Sequence, residues 1–143
     1  MRWIALGLGL LVMAGCTTSP VNEKSAKPAP ADRVLLFQTP RDGGATIVVT
    51  RDSGWLAGGC YVAVLIDGQK AARIGPGEVA RFNVEAGRHM IGMAGDADGA
   101  GMCGLQIGQW VKESATELRP GEIQRFRVSA DSSAGMDIRP TSF

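Results

Sequence analysis

Apolar and polar residues alternate along two stretches of the chain, residues 78–85 and 122–130. A period of two places successive side chains on opposite faces of a strand, so each stretch is predicted to be a strand with one buried face. The predicted inward residues are Ala80, Phe82 and Val84 in the first stretch and Phe126 and Val128 in the second. The outward positions include Arg81, Arg125 and Arg127. We therefore expect the two phenylalanines to share one core.

The same two strands are preceded by the same turn. Pro76-Gly77-Glu78 recurs as Pro120-Gly121-Glu122, at identical spacing from the Arg, Phe and Val residues that follow. Proline followed by glycine is typical of a type II turn. The repetition favours two similar β-units within one sandwich.

Other segments are also rich in β-forming residues. Residues 33–39 and 45–50 are separated by a stretch of Pro, Asp and Gly, which predicts a hairpin. Residues 60–66 are apolar on both faces, as in a central strand. Asp67-Gly68 then predicts a tight turn into a strand over residues 69–74.

Sustained helical periodicity is absent from the sequence. The one ambiguous stretch, residues 110–118, is expected to be a strand followed by a loop. Short strands separated by turn residues are typical of sandwiches and barrels. The pattern therefore predicts an all-β fold.

The N-terminal residues follow a different pattern. Arg2 precedes a short apolar run over residues 3–12, and Ala14-Gly15 leads into Cys16. This is the layout of a secretory signal peptide, and the run is shorter than the ~20 apolar residues of a membrane span. The motif resembles the lipobox of bacterial lipoproteins, although Met13 replaces the preferred leucine. The resemblance implies that the signal is removed and that Cys16 is lipidated.

These features divide the chain into three parts. Residues 1–15 are the predicted signal peptide, and residues 33–143 are predicted to form one folded domain. Residues 16–32 are rich in Pro, Ser, Ala and Lys and are expected to form a disordered tether. In lipoproteins of enteric bacteria, a residue such as Thr17 after the lipidated cysteine implies the outer membrane. We expect the domain to face the periplasm, with exposure at the cell surface left open.

The mature chain is expected to carry no net charge. Without Arg2 it has 14 basic and 14 acidic residues, and it contains no cluster of Lys and Arg. Proteins that bind nucleic acid carry a basic patch, so nucleic acid is not an expected partner. The expected partners are the membrane, reached through the lipid anchor, and other envelope proteins.

Two cysteines remain once Cys16 is used for lipidation. Cys60 and Cys103 of an exported chain meet an oxidising compartment, where such a pair commonly forms a disulfide. Two buried free thiols are the alternative. Two cysteines and one distant histidine do not form a metal-ligand cluster, so no metal is expected.

Residues 60–92 carry a further resemblance. The order Cys-x-Val-x-Val-x-Ile-Asp-Gly, Pro-Gly-Glu, Phe-x-Val and Ala-Gly-x-His is similar to that of small bacterial lipoproteins of unknown function. These are related in pattern to the PEGA-type β modules of bacterial surface proteins. The resemblance implies an immunoglobulin-like antiparallel β-sandwich with no assigned chemistry. The family-like cysteine spacing falls on Cys60 and Cys103, which supports the disulfide.

His89 is the one histidine of the chain, and it shares a predicted strand face with Ile91 and Met93. We expect it to be a partly buried, hydrogen-bonded structural residue. A hydrolase would also need a nucleophile and an orienting carboxylate nearby, and the sequence has no nucleophile motif. The chain is therefore not expected to be an enzyme or to need a cofactor.

The glycine-rich residues 95–104 contain two partial motifs. The spacing Gly-x-Gly-x-x-Gly of dinucleotide-binding turns is matched by Gly99, Gly101 and Gly104. That motif must open a helix, whereas the residues that follow are strand-like. Asp96 and Asp98 match two positions of a calcium loop, but other ligand positions hold Ala and Ile. A flexible hairpin loop is favoured.

Trp55 lies in a predicted loop between glycines, where a tryptophan can anchor a partner or cover the end of the sandwich. A basic stripe is a further possibility if the strands place Arg73, Arg81, Arg125 and Arg127 on one face. The sequence predicts a non-enzymatic structural or protein-interaction module anchored to the outer membrane. The alternative is a binding module for a cell-wall glycan or another ligand through the loops around Trp55.

Overall fold

The protein folds as a β-sandwich, which confirms the predicted fold class. The structure is a computed structural model that describes residues 18–54, 59–106 and 110–142. Within these residues, nine strands form two sheets, and two short 3-10 segments, Ala31–Arg33 and Gly101–Gln106, connect strands.

The strands follow one another without an intervening α-helix in the described residues. In chain order they are β1 (Lys27–Pro28), β2 (Ala45–Arg51), β3 (Val62–Ile66), β4 (Gln69–Ile74), β5 (Glu78–Val84), β6 (Gly87–Gly95), β7 (Val111–Leu118), β8 (Ile123–Asp131) and β9 (Gly135–Thr141).

The two sheets have different strand orders. One contains five strands in the order β1-β5-β2-β8-β9, and the other contains four in the order β4-β3-β6-β7. Most neighbours are antiparallel, as expected, but β2 pairs with β8 in parallel and β1 pairs with β5 in parallel. The parallel pairing sets β8 beside β2 although more than seventy residues separate their register partners, such as Thr46 and Ile123.

The core fills the space between the sheets. Phe82 and Phe126 are fully buried in one apolar cluster, as the alternation predicts. The other large, fully buried side chains of this cluster are Ile47, Val49, Val62, Val64, Ile66, Ile74, Ile91, Met93 and Leu118. The two echoed units therefore contribute equivalent phenylalanines to a single core.

The two ends of the sandwich differ and are named here. The upper end is where β2 ends at Arg51, β3 begins at Val62, and β4 and β6 end at Ile74 and Gly95. The lower end carries the short turns between β3 and β4, between β5 and β6, and between β7 and β8. At the lower end, the predicted Asp67-Gly68 turn is present, with positive φ angles at both residues.

The predicted hairpin between residues 33–39 and β2 is wrong. The backbone N–H groups of Leu35 and Leu36 both donate to the carbonyl oxygen of Ala71, at 2.8 and 3.2 Å. Phe37 has a φ of 60°, a left-handed conformation that is incompatible with a continuous strand. The segment instead covers the outer edge of β4, and β2 takes β5 and β8 as its partners.

Residues 18–30, expected to be part of a disordered tether, are instead bound to the five-stranded sheet, of which Lys27–Pro28 is the edge strand β1. We call them the N-terminal strap. Lys27–Pro28 pairs with β5, and Glu23 contacts arginines of the sheet. Val48 faces away from the core cluster between these arginines, yet it is fully buried. The composition of this segment predicts disorder, because composition carries no information about contacts with residues that are distant in sequence.

The region around β7 also departs from expectation. Residues 101–106 form a 3-10 segment where strand-like structure was expected from residue 105 onward, and all of Val111–Leu118 is strand. Strand β9 was not predicted, since its Gly, Asp and Pro residues interrupt the apolar alternation. Its backbone pairing with β8 stabilises β9 as a strand, although its local sequence does not predict one.

Candidate functional site

The upper end contains a disulfide between Cys60 and Cys103, as predicted. The two Cα atoms are 5.4 Å apart, within the ~7 Å that disulfide geometry requires. Cys60 precedes β3, and Cys103 lies in the 3-10 segment Gly101–Gln106. The bond therefore ties the long connection between β6 and β7 to the start of a central strand.

Close packing around the disulfide explains two of the three glycines that resemble a dinucleotide motif. A Cβ atom on Gly99 would lie 2.8 Å from the Cβ of Cys103, and one on Gly104 would lie 2.5 Å from the Gly99 carbonyl oxygen. Both distances are too short for any larger residue. The segment that follows is a 3-10 segment of six residues and not the α-helix that binds pyrophosphate in that motif.

Arg51 is a buried cation that joins the two sheets. The residue is 2% exposed, and its Nη1 donates to the carbonyl oxygens of Cys60 and Ile74 at 2.6 and 2.9 Å. Burial lowers the pKa of Arg51 to about 10, and the charge of Glu78 acts in the opposite direction. Arg51 is therefore charged at neutral pH and satisfies two buried carbonyls at the upper end.

Tyr61 lies between two guanidinium groups beside the disulfide. Its ring centroid is 4.1 Å from Cζ of Arg33 and 5.2 Å from Cζ of Arg73, within the range of cation–π contacts. Arg33 also donates to Glu78 at 2.6 and 2.7 Å, and Arg73 donates to Asp96 at 2.7 and 2.8 Å. We call these five residues the tyrosine cluster.

The carboxylates of the tyrosine cluster stay ionised. Burial raises the pKa of Glu78, but hydrogen bonds from Arg33 and the Gly75 N–H outweigh burial and lower the pKa below its ordinary value. The hydrogen bonds from Arg73 lower the pKa of Asp96, against the effect of burial. A general acid at neutral pH needs a raised carboxyl pKa. The arrangement is therefore that of a structural ion-pair network.

Asp96 and Asp98 are held by cations, which disfavours the suggested calcium loop. The Asp96 carboxylate accepts from Arg73, and Asp98 pairs with Lys70. Among residues 18–54, 59–106 and 110–142, no group of three or more His, Cys, Asp or Glu side chains is placed to hold a metal ion.

Asp52 fixes the start of the N-terminal strap. Arg127 donates to both of its carboxylate oxygens, at 2.7 and 2.5 Å, and Thr18 Oγ1 lies 3.0 Å from Oδ2. The Thr18 N–H donates to the carbonyl oxygen of Ala130 at 3.1 Å. The Asp52 side chain is fully buried, so its charge depends on Arg127 for compensation. The strap therefore begins at the upper end.

Of the four arginines of the suggested basic stripe, Arg81, Arg125 and Arg127 share the outer face of the five-stranded sheet, whereas Arg73 lies in the other sheet. Arg81 and Arg125 both pair with Glu23 of the strap, and Arg125 Nε lies 2.6 Å from its carboxylate. Arg127 pairs with Asp52 at the upper end, and Arg73 belongs to the tyrosine cluster on the other sheet. Each guanidinium therefore has an acidic partner within the fold.

His89 connects two turns at the lower end. Its Nδ1 lies 2.7 Å from Asp67 Oδ2, and its Nε2 lies 2.9 Å from the Glu85 carbonyl oxygen. Both partners are acceptors, so both ring nitrogens must carry protons to satisfy them. Burial lowers the pKa of His89, but these hydrogen bonds outweigh burial and raise it above the ordinary value. This is the partly buried, hydrogen-bonded histidine that the sequence predicts.

Cys16 and Trp55 lie outside the described residues. The lipidation of Cys16 and the ligand or partner contact of Trp55 therefore stay predictions. Gly54 and Gly59, on either side of the tryptophan loop, belong to the connection between β2 and β3 at the upper end.

Sequence reasoning missed Arg51, Tyr61 and Glu23, which organise the upper end and the strap. Arg51 is the last residue of β2, and a charge at the end of an apolar run was the available signal. Glu23 offers no such signal, because its partners Arg81 and Arg125 are far away in sequence.

No protein-family model matches this chain, and no curated protein matches it. Within the part of the chain that the structure describes, no helix has the length and apolar character needed to cross a bilayer.

Proposed function

We propose that this chain is a non-enzymatic envelope lipoprotein, similar to the small bacterial lipoproteins with PEGA-type modules. In this proposal residues 1–15 direct export, Cys16 carries the lipid, and the anchor holds the sandwich at the outer membrane as a structural or protein-interaction module. The observation that carries the proposal is a disulfide in a chain whose first residues follow the lipobox pattern.

The disulfide supports export independently of the N-terminal pattern. Stable disulfides persist in oxidising compartments such as the periplasm and are rare in the reducing cytosol. Cys60 and Cys103 lie within the folded domain, far from Cys16 in sequence. A targeting pattern and a redox argument therefore favour the same compartment for different reasons.

The contacts of the titratable side chains favour a structural role over a catalytic one. Both ring nitrogens of His89 contact acceptors of its own fold. The carboxylates of Asp52, Glu78 and Asp96 are each held by an arginine. Acid–base catalysis requires a group that exchanges protons with a substrate near neutral pH. These groups instead stabilise the ends of the strands.

Edge strand β7 is a surface suited to a protein partner. It has eight residues, pairs with β6 on one side and forms one edge of the four-stranded sheet. A shallow groove lined by Arg88, Ala115, Thr116 and Glu117 lies along it. An edge strand presents backbone groups that a strand of another protein can pair with. The opposite edge, β4, is covered by residues 34–36.

The anchor is tested by metabolic labelling with a palmitate analogue, followed by separation of inner and outer membranes. The wild type is expected to carry the label and to sediment with the outer membrane. Cys16→Ser should lose both properties because it removes the acylated thiol. Thr17→Asp, the matched control, should keep the label and move toward the inner membrane in an enteric host. A labelled and membrane-bound Cys16→Ser variant would contradict the proposal.

The interaction role is tested by site-specific photo-crosslinking in cells. A photoreactive amino acid replacing Ala115 on β7 should give a discrete adduct with an envelope protein. The control position is Asp42, an exposed residue in the connection before β2 at the lower end. Equal adduct patterns at the two positions would count against β7 as the contact surface.

A further inference from the structure

The upper end carries the two most exposed large apolar side chains of the described residues. Met102 is 83% exposed and Leu105 is 77% exposed, and both lie in the 3-10 segment Gly101–Gln106. The disulfide at Cys103 fixes this segment to the sandwich. We call Met102 and Leu105 the apolar tip. Exposed apolar side chains on a segment held by a disulfide offer a small apolar area that a partner or a bilayer can cover.

The N-terminal strap brings the predicted anchor to the same end. Thr18 is bound at the upper end through Asp52 and Ala130. In the lipoprotein proposed above, only Thr17 separates Thr18 from the lipidated Cys16, and two residues span at most ~7 Å. Because residues 18–30 lie along the sheet, they do not serve as a spacer between the domain and the bilayer.

We propose that the upper end is a membrane-facing surface and that the apolar tip inserts into the leaflet that holds the lipid anchor. The inference rests on the proposed function, because it uses the lipid on Cys16. An anchor within a few ångströms keeps this end at the bilayer and raises the effective concentration of lipid around it. The apolar tip then transfers its side chains from water to the acyl-chain boundary.

The charges of the upper end are compatible with contact with lipid. The carboxylates of Asp52 and Asp96 are almost fully buried and are paired with Arg127 and Arg73. Two further upper-end carboxylates are at least partly exposed, but Asp98 pairs with Lys70, and Asp131 accepts hydrogen bonds from the N–H groups of Ser133 and Ala134. Each carboxylate named here therefore has a donor within the fold, which lowers the cost of bringing it to the bilayer surface. Tyr61, next to Cys60, is 38% exposed and has an amphipathic ring of the kind found at membrane interfaces.

The orientation is tested with the lipidated full-length mature protein in vesicles of phosphatidylethanolamine and phosphatidylglycerol. A photoreactive amino acid replaces Met102, Leu105 or, as the control, Ile123, which is 47% exposed at the lower end. We expect lipid adducts at the first two positions to exceed those at Ile123 by on the order of tenfold. Mass spectrometry identifies the adducts.

A second measurement uses the native tryptophans of the mature chain and brominated lipids as quenchers. The double variant Met102→Gln/Leu105→Gln should reduce the quenching seen with the wild type, whereas Ile123→Gln should not. All three side chains are exposed, so folding is expected to be unaffected.

The possible outcomes separate the two proposals. Protein that floats with the vesicles but gives no excess of lipid adducts at the apolar tip would overturn the membrane-facing orientation and leave the anchor intact. Adducts at the tip with another protein or a second copy of the chain, in place of lipid, would also overturn it. Protein that fails to float would overturn the proposed function and this inference with it.

Discussion

The two ends of the sandwich are held together by different kinds of contact. At the lower end, short turns such as Asp67-Gly68 join strands that are neighbours in sequence. The upper end also has short turns, between β4 and β5 and between β8 and β9, but it adds contacts between residues that are far apart in sequence. Cys60 forms a disulfide with Cys103, and the Thr18 N–H donates to the Ala130 carbonyl oxygen. The lower end therefore depends mainly on local sequence, whereas the upper end depends in addition on contacts that form only in the completed fold.

The two ends also differ in how deeply their charged groups are buried. The lower end has a partly buried bridging histidine whose partner Asp67 is exposed, whereas the upper end buries Arg51, Asp52 and Asp96. Buried charges are costly unless they are paired and hydrogen-bonded. We therefore expect changes at the upper end to cost more stability than matched changes at the lower end, and the predictions below test this order.

Removal of the disulfide should have the largest effect. Cys60→Ala/Cys103→Ala is expected to lower the free energy of unfolding by about 4 kcal/mol, because the bond closes a loop with a sequence separation of 43. Urea unfolding of the mature protein measures the loss. Hydrogen exchange should show the connection between β6 and β7 opening first, while the Asp67 amide at the lower end stays protected. Uniform loss of protection would contradict the difference between the ends.

Arg51→Met should cost about 2 kcal/mol, because it leaves two buried carbonyl oxygens without donors. Part of that cost is offset, since the variant no longer buries a cation. The matched control is Arg139→Met, whose side chain is 73% exposed and pairs with Asp137, and it should change stability by less than about 0.5 kcal/mol. A stabilised Arg51→Met variant would show that the buried cation lowers the stability of the fold and would contradict its stabilising role at the upper end.

Glu23→Gln should cost about 1 kcal/mol, because it weakens the contacts of the strap with Arg81 and Arg125. The control is Glu85→Gln, which weakens the exposed pair between Glu85 and Arg41 and should have little effect. Limited proteolysis provides a second measurement, in which cleavage within residues 18–30 should accelerate only in Glu23→Gln. Equal proteolysis of the two variants would mean that Glu23 does not hold the strap.

His89→Asn should have the smallest effect, and the effect should depend on pH. The raised pKa of His89 means that its stabilising contribution is fully present below the ordinary value of 6.5 and is lost as the pH rises through the raised value. Asp67 stays ionised over this range, because hydrogen bonds from Met90 and His89 lower its pKa despite burial. The loss in melting temperature should therefore be larger at about pH 5.5 than at about pH 8.5. The same loss at both values would argue against a protonated histidine bridge.

The parts of the fold that follow from local sequence were predictable. The alternation around Phe82 and Phe126 indicated which side chains form the core, and Asp67-Gly68 indicated a hairpin turn. Each signal lies within a few residues of the structure that it specifies. The pairing of Cys60 with Cys103 was predictable for another reason, since it depends on a count of cysteines and on the compartment.

The rest was not predictable, because it depends on partners that are remote in sequence. Residues 33–39 have the composition of a strand, but β2 already has two neighbours, and Phe37 turns the chain away. The strap has the composition of a linker, yet Glu23 forms ion pairs with two arginines, and Lys27–Pro28 pairs with β5. The residue pattern of one segment does not indicate which other part of the fold the segment will contact.

The central claim is that an exported, lipid-anchored chain closes its upper end with a disulfide. Mass spectrometry of peptides from the membrane-purified protein, digested without reduction, tests both halves of the claim in one measurement. We expect an N-terminal peptide that begins at acylated Cys16, together with a cross-linked peptide that contains Cys60 and Cys103. An unmodified N-terminus at Met1 with alkylatable thiols at Cys60 and Cys103 would contradict the account.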